Sequence, residues 1–157
     1  MKLSRLLLAL AITVNIIEVP TALIAQSGDP ELTAANPTSA SSAVFDFGDG
    51  TLVRRRKRES DFQEVSVNAG QSINIKLQFA PTMAGQELVA GALDGGAITA
   101  PEPPLVVDAD GNLNFTFRAP ILKGYCRVAI QQSEGTDVLQ FWVIDPAHPE
   151  DNPPADG

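Results

Sequence analysis

Ser72-Ile73-Asn74-Ile75-Lys76-Leu77-Gln78-Phe79 is the stretch on which the fold turns. Ile73, Ile75, Leu77 and Phe79 occupy alternate positions, with Ser72, Asn74, Lys76 and Gln78 between them. Successive side chains of a strand point to opposite faces, so a two-residue rhythm predicts a strand with one face buried and one wet. Asn112-Leu113-Asn114-Phe115-Thr116-Phe117-Arg118 repeats the rhythm, with Leu113, Phe115 and Phe117 inward. Cys126, Val128 and Ile130 form a third inward set, with Arg127 and Gln131 opposite.

Weaker strand signals lie at 63–67, 87–93 and 105–107. Residues 137–145 form the last strand, with Leu139, Phe141 and Val143 on one face and Val138, Trp142 and Ile144 on the other. Turn chemistry falls between these runs: Asn68-Ala69-Gly70, Asp94-Gly95-Gly96, Asp110-Gly111-Asn112 and Glu134-Gly135-Thr136, with Pro81, Pro101 to Pro104 and Pro120 closing strands. Val107 to Phe115 is expected to be a hairpin centred on Asp110-Gly111. About seven short strands at near-regular spacing predict an all-β, antiparallel two-sheet sandwich.

Composition agrees. The chain has 157 residues, 44% of them apolar, with 12 prolines and 12 glycines. That length allows one domain, and the proline and glycine content argues against a helical bundle. The 19 acidic side chains outweigh 11 basic ones, which disfavours general affinity for nucleic acid. One histidine and one cysteine exclude most metal sites and nucleophile–base pairs, and no cofactor motif is present.

Met1 to Ala25 reads as a cleaved signal segment. Lys2 and Arg5 supply a positive start, Leu6 to Val14 is apolar apart from Thr13, and Ala25 is a small residue before Gln26. The apolar run is much shorter than the roughly 20 residues that a bilayer span needs. An uncleaved membrane anchor is the rival reading. Residues 26–42, rich in Ser, Ala, Thr and Pro, are expected to form a flexible leader, 43–146 the sandwich, and 147–157 a disordered tail. Without the signal, nine basic and 18 acidic residues remain, a balance of −9. Cys126 has no partner for an internal disulfide, so an exported chain would depend on its apolar core.

From Val67-Asn68-Ala69-Gly70-Gln71-Ser72-Ile73, through Phe115-Thr116-Phe117-Arg118-Ala119-Pro120 and Lys123-Gly124-Tyr125-Cys126-Arg127-Val128-Ala129-Ile130, to Leu139-Gln140-Phe141-Trp142-Val143, the chain resembles immunoglobulin-like and fibronectin type III-like modules of exported bacterial proteins. The resemblance covers about half the chain and implies an immunoglobulin-like sandwich. Such modules carry a corner tyrosine two residues before an inward apolar residue. Here Tyr125 precedes Arg127 by two, so either a bulge shifts the register or Cys126 takes the tyrosine's place.

Arg54-Arg55-Arg56-Lys57-Arg58 holds five of the nine basic residues left after the signal. Like charges side by side must be solvated or paired. Three readings stand: a contact for an anionic partner, a processing site, or a charged edge strand that deters sheet-to-sheet aggregation, with Glu59, Asp61 and Glu64 as counter-charges. Tyr125 and Trp142 are the candidate aromatic contacts for carbohydrate or protein, although a lone tryptophan in a closing strand is more often core. Asp46-Phe47-Gly48-Asp49-Gly50-Thr51 resembles the motif of polycystic-kidney-disease-type repeats and reads equally as a Gly-Asp-Gly turn, the preferred reading. Asp108-Ala109-Asp110-Gly111-Asn112 opens like a calcium loop, but the twelfth position is Ala119 and the flanks are strands, which favours a turn. His148 stands in the tail, away from any core-held nucleophile, so no catalytic set is expected. The function these features predict is a secreted or periplasmic, non-catalytic binding or spacer module of the cell envelope, with protein or envelope glycan as partner. The alternative is a small structural subunit that assembles with itself or joins a larger envelope complex.

Overall fold

The structure, a computed structural model, describes residues 38–58 and 61–152, apart from the side chains of Arg58 and Asp61. The expected signal segment, the leader as far as residue 37 and residues 153–157 lie outside the described residues. The alternating stretches form strands: β1 (Ser42–Asp46), β2 (Leu52–Arg58), β3 (Asp61–Phe62), β4 (Val65–Asn68), β5 (Ser72–Gln78), β6 (Glu87–Ala92), β7 (Ala97–Ala100), β8 (Leu105–Val106), β9 (Asn112–Arg118), β10 (Gly124–Gln132) and β11 (Gly135–Ile144). They build two sheets, ordered β3-β2-β1-β5-β9-β7 and β4-β11-β10-β6-β8. The chain is an all-β two-sheet sandwich. Seven strands run five residues or longer, and the four shorter ones, β3, β7, β4 and β8, are the sheet edges. Short edges offer little unpaired backbone to a foreign strand. Pairing is antiparallel except where β4 runs parallel to β11, with Val65 opposite Phe141 and Asn68 opposite Ile144. Among the described residues no helix is long and apolar enough to cross a membrane.

The inward faces of β5, β9 and β10 carry the residues that the rhythm selects, and the packing turns the Leu139, Phe141 and Val143 face of β11 inward. Phe45, Ile73, Ile75, Leu77, Leu113, Phe115 and Phe117 of one sheet meet Cys126, Val128, Ile130, Leu139, Phe141 and Val143 of the other, all of them buried. Phe141 joins the sheets, with its ring edge-on to Phe45 at 5.7 Å and stacked on Phe117 at 5.1 Å.

Two expectations need correction or resolution. Val107 to Phe115 is not a hairpin: β8 pairs with β6 in one sheet, while β9 pairs with β5 and β7 in the other. The Asp108 carboxylate accepts the backbone N–H groups of Asp110 and Asn112 and the Asn112 side-chain amide, which turns the chain from one sheet to the next. Gly111 has φ +81°, and a Cβ there would lie 2.7 Å from the Phe79 carbonyl oxygen, so glycine is required. The tyrosine question also resolves. β10 pairs with β11 without a break from Gly124 to Gln132, Cys126 is fully buried, and Tyr125 stands outward. Cys126 therefore takes the inward place, and no bulge is needed.

At the chain ends, the Ser41 amide donates to the Gln78 carbonyl at 2.8 Å, so the fold begins within the stretch read as leader. After β11, a short 3-10 turn (Pro149–Asp151) and the Asn152 amide, which bonds both backbone groups of Asp145, extend order into the stretch read as tail.

Candidate functional site

Strand period divides the basic run. Val53, Arg55 and Lys57 are partly covered, whereas Arg54 and Arg56 are exposed on the outer face. β2 pairs with β1 over Leu52 to Arg56, and β3 covers it only at Lys57 and Arg58. Side by side in sequence, the charges meet two environments.

Outward, the register lays them in rows. Arg54 is opposite Val44, Val44 opposite Lys76, and Lys76 opposite Asn114. Arg56 is opposite Ser42, which is opposite Gln78. Toward the β1–β2 turn, Leu52, Asp46, Asn74 and Thr116 form a further row, in which the Thr116 hydroxyl donates to Asn74 Oδ1 at 2.9 Å. Across these rows lies a shallow groove of about 480 Å³, lined among others by Val44, Asp46, Leu52, Asn74, Lys76 and Asn114. Arg118 is exposed on the same face, opposite Ser72. Arg54, Arg56, Lys76 and Arg118 form no salt bridge among the described residues. An acidic chain thus places four cations without a salt bridge among the described residues on one sheet face, with Lys76 near enough to Asp108 to lower that carboxyl, beside amide and hydroxyl groups that can bond a polar chain.

Inward, Lys57 meets Asp137, which lies 80 positions further along the chain and is fully buried. The Lys57 ammonium is in direct contact with Asp137 Oδ1 and donates to Ser39 Oγ at 2.6 Å. Ser39 Oγ donates to the same Oδ1 at 2.8 Å. Asp137 Oδ2 accepts from the Ala40 amide at 2.7 Å and from Gln132 Nε2 at 2.5 Å. A buried carboxylate persists only when paired and hydrogen-bonded, and here a cation and three further donors meet that need. Among the described residues, Gln132 Oε1 and Arg55 Nε are buried without a hydrogen-bond partner. The cluster ties β2 of one sheet to β10 and β11 of the other.

The basic run was singled out by composition; Asp137, Gln132 and Ser39 were not. A signal for two of them exists. Asp137 is in phase with Leu139 and Phe141, and Gln132 with Val128 and Ile130, so each is a polar residue on a buried face. Asn74, Lys76, Asn114 and Thr116 were read only as the wet side of their strands; which of them share rows had to come from the register.

Tyr125 and Trp142 face each other across β10 and β11 on the outer face of the five-stranded sheet. Tyr125 is 44% exposed and Trp142 only 9%. The Arg127 guanidinium lies 5.8 Å from the Tyr125 ring centre and forks onto Asp94 at 2.7 and 2.9 Å. This bonding holds the Asp94 carboxyl below its usual range. The pair is one exposed ring beside one largely covered ring, on the sheet opposite the groove.

The other motifs are turns. Asp46-Phe47-Gly48-Asp49-Gly50-Thr51 closes the β1–β2 hairpin: Asp46 Oδ1 accepts from the Gly48 amide at 2.9 Å and Asp49 Oδ1 from the Thr51 amide at 2.8 Å. The Asp108 oxygens are engaged by their own loop, and bonding from the Asn112 amide holds this carboxyl below the ordinary value. Desolvation pushes the Cys126 thiol up to about 11, opposite to what a nucleophile needs. His148, Glu150 and Asp151 are exposed with their ligand-type atoms within 4.8 Å, and Asp151 also lies 3.8 Å from the Lys123 ammonium.

No family model matches the chain, and no curated protein matches it. What fold and site define is a class: a two-sheet β-sandwich with exposed arginines on one sheet face and a polar groove that Lys76, Asp46, Asn74 and Asn114 line.

Proposed function

We infer that the chain is an exported, non-catalytic binding module of the cell envelope that holds an anionic glycan on the outer face of its six-stranded sheet. One observation carries the reading: Arg54, Arg56, Lys76 and Arg118 are exposed on one sheet face without a salt bridge among the described residues, and Lys76 lines the groove of that face with Asn74 and Asn114. Cations attract the carboxylates or phosphates of such a polymer, and the amides bond its hydroxyls. Export rests on the Lys2 and Arg5 start, the Leu6–Val14 run and Ala25. The sandwich is compatible with the immunoglobulin-like modules that the sequence resembles. The raised thiol of Cys126 and the exposed setting of His148 support a role without catalysis.

The test is titration with polygalacturonate as the charged probe and dextran as the neutral one, at low and high salt. Binding to polygalacturonate that weakens as salt rises, none to dextran, and at least a tenfold loss in the Arg54→Ser, Arg56→Ser, Lys76→Ser triple variant are expected. A triple variant that binds as well as the unmodified chain refutes the reading.

A second reading, a self-assembling structural subunit, is favoured by the exposed Val89, Leu93 and Val106, each more than half accessible. Light scattering behind size exclusion separates the two, because a monomer at high concentration removes self-assembly.

A further inference from the structure

We propose that Lys57 and Asp137 condense with each other, without an enzyme, to an amide that links β2 of one sheet covalently to β11 of the other. The two side chains touch in a site where Asp137 is fully buried and Lys57 is 14% exposed. Each strand is fixed by its sheet, so an amine and a carboxyl are held at contact distance for the life of the fold, the condition under which a slow bimolecular reaction becomes effectively unimolecular.

The remaining contacts suit the step. Ser39 Oγ accepts from Lys57 Nζ and donates to Asp137 Oδ1, so a proton leaving the nitrogen has a two-bond path to the oxygen that must depart. Ala40 N–H and Gln132 Nε2 both point at the other oxygen, Oδ2, where negative charge collects when nitrogen adds to Cγ. One proton passes from the Lys57 ammonium through Ser39 to Oδ1, and the freed nitrogen lone pair forms the Nζ–Cγ bond. The carbonyl electron pair moves onto Oδ2. A second proton follows the first, the Cγ–Oδ1 bond breaks as the carbonyl re-forms at Oδ2, and Oδ1 leaves as water. An ammonium and a carboxylate become a neutral amide and one water, with no oxidant, reductant or activating group required. Burial disfavours the charged pair and removes the water that would reverse the reaction. A chain whose only cysteine lacks a partner gains by this route a cross-link that a disulfide cannot give it.

Intact-mass measurement of the unfolded, full chain decides it. The expected mass is about 18 Da (one water) below that of the sequence. A tryptic map should then show one branched peptide joining the segment around Lys57 to the segment around Asp137. The map is needed because Asp-Gly bonds, as at Asp49-Gly50, can also lose water. Lys57→Arg should restore the full mass, and Asp137→Asn should condense with loss of ammonia instead. Full mass in the unmodified chain, or a water loss that persists in Lys57→Arg with no branched peptide, overturns the proposal. The branched peptide is read from the unmodified chain, so the test stands whether or not either variant folds.

Discussion

Replacing Lys57 by methionine and, separately, Arg56 by serine perturbs neighbouring positions that a simple reading of the charge run treats alike. Methionine keeps most of the lysine stem's volume and removes only the cation. Asp137, fully buried, would keep its bonds to Ser39, Ala40 and Gln132 and lose its one opposite charge. Breaking a buried pair by removing one partner costs about 3 to 5 kcal/mol, because the other charge stays uncompensated. Any covalent link at this site would add to the loss. Against a domain stability of about 5 to 15 kcal/mol, that is a large fraction. Arg56 is exposed on the outer face, and its loss should stay within about 0.5 kcal/mol. Urea unfolding followed by the fluorescence of Trp142 measures both. With a slope of about 1 to 3 kcal/mol per molar, Lys57→Met should lower the midpoint by roughly 2 M and Arg56→Ser should leave it nearly unchanged. A Lys57→Met protein within about 1 kcal/mol of the unmodified chain, or an Arg56→Ser protein equally weakened, would refute the division of the run by strand period.

Phe141→Ala should cost about 3 to 5 kcal/mol in the same assay, because its buried ring joins Phe45 and Phe117 across the sheets; a loss under about 1.5 kcal/mol would mean the sheets do not meet there. The Asp108 carboxyl is held below its ordinary value of 3.8 by the Asn112 amide, so its contribution is fully present above that value and is lost as pH falls through the lowered one. Thermal midpoints of the unmodified chain and Asp108→Asn should therefore converge on acidification from pH 6 to about pH 2, and a constant gap would contradict the hydrogen-bond account. Cys126, buried and with its thiol pushed up to about 11, should resist a chromogenic disulfide reagent in the native protein and react after denaturation. Fast reaction in the native state would place the thiol on the surface.

The two-residue rhythm determined much of this molecule before any coordinates. It set the strands β5, β9, β10 and β11, the inward faces of the first three and the all-β class, because a side chain's face follows from its parity along an extended chain. Strand parity could also have divided Arg54-Arg55-Arg56-Lys57-Arg58 and put Gln132 in phase with Val128 and Ile130, whereas Asp137 joined the core only when packing turned its face of β11 inward. Local pattern carries no information about which strands become neighbours, since that depends on how distant apolar faces pack together. Tertiary structure alone sent β8 to β6 instead of β9, ran β4 parallel to β11, and put Lys76 and Asn114 in the row of Arg54. It alone brought Lys57 to an acid 80 positions away, while the sequence offered Glu59, Asp61 and Glu64 close at hand. Burial is the reason: Asp137 lies on the inner face of β11, so the partner it requires has to come from the inner face of the opposing sheet, whatever charges stand nearby along the chain.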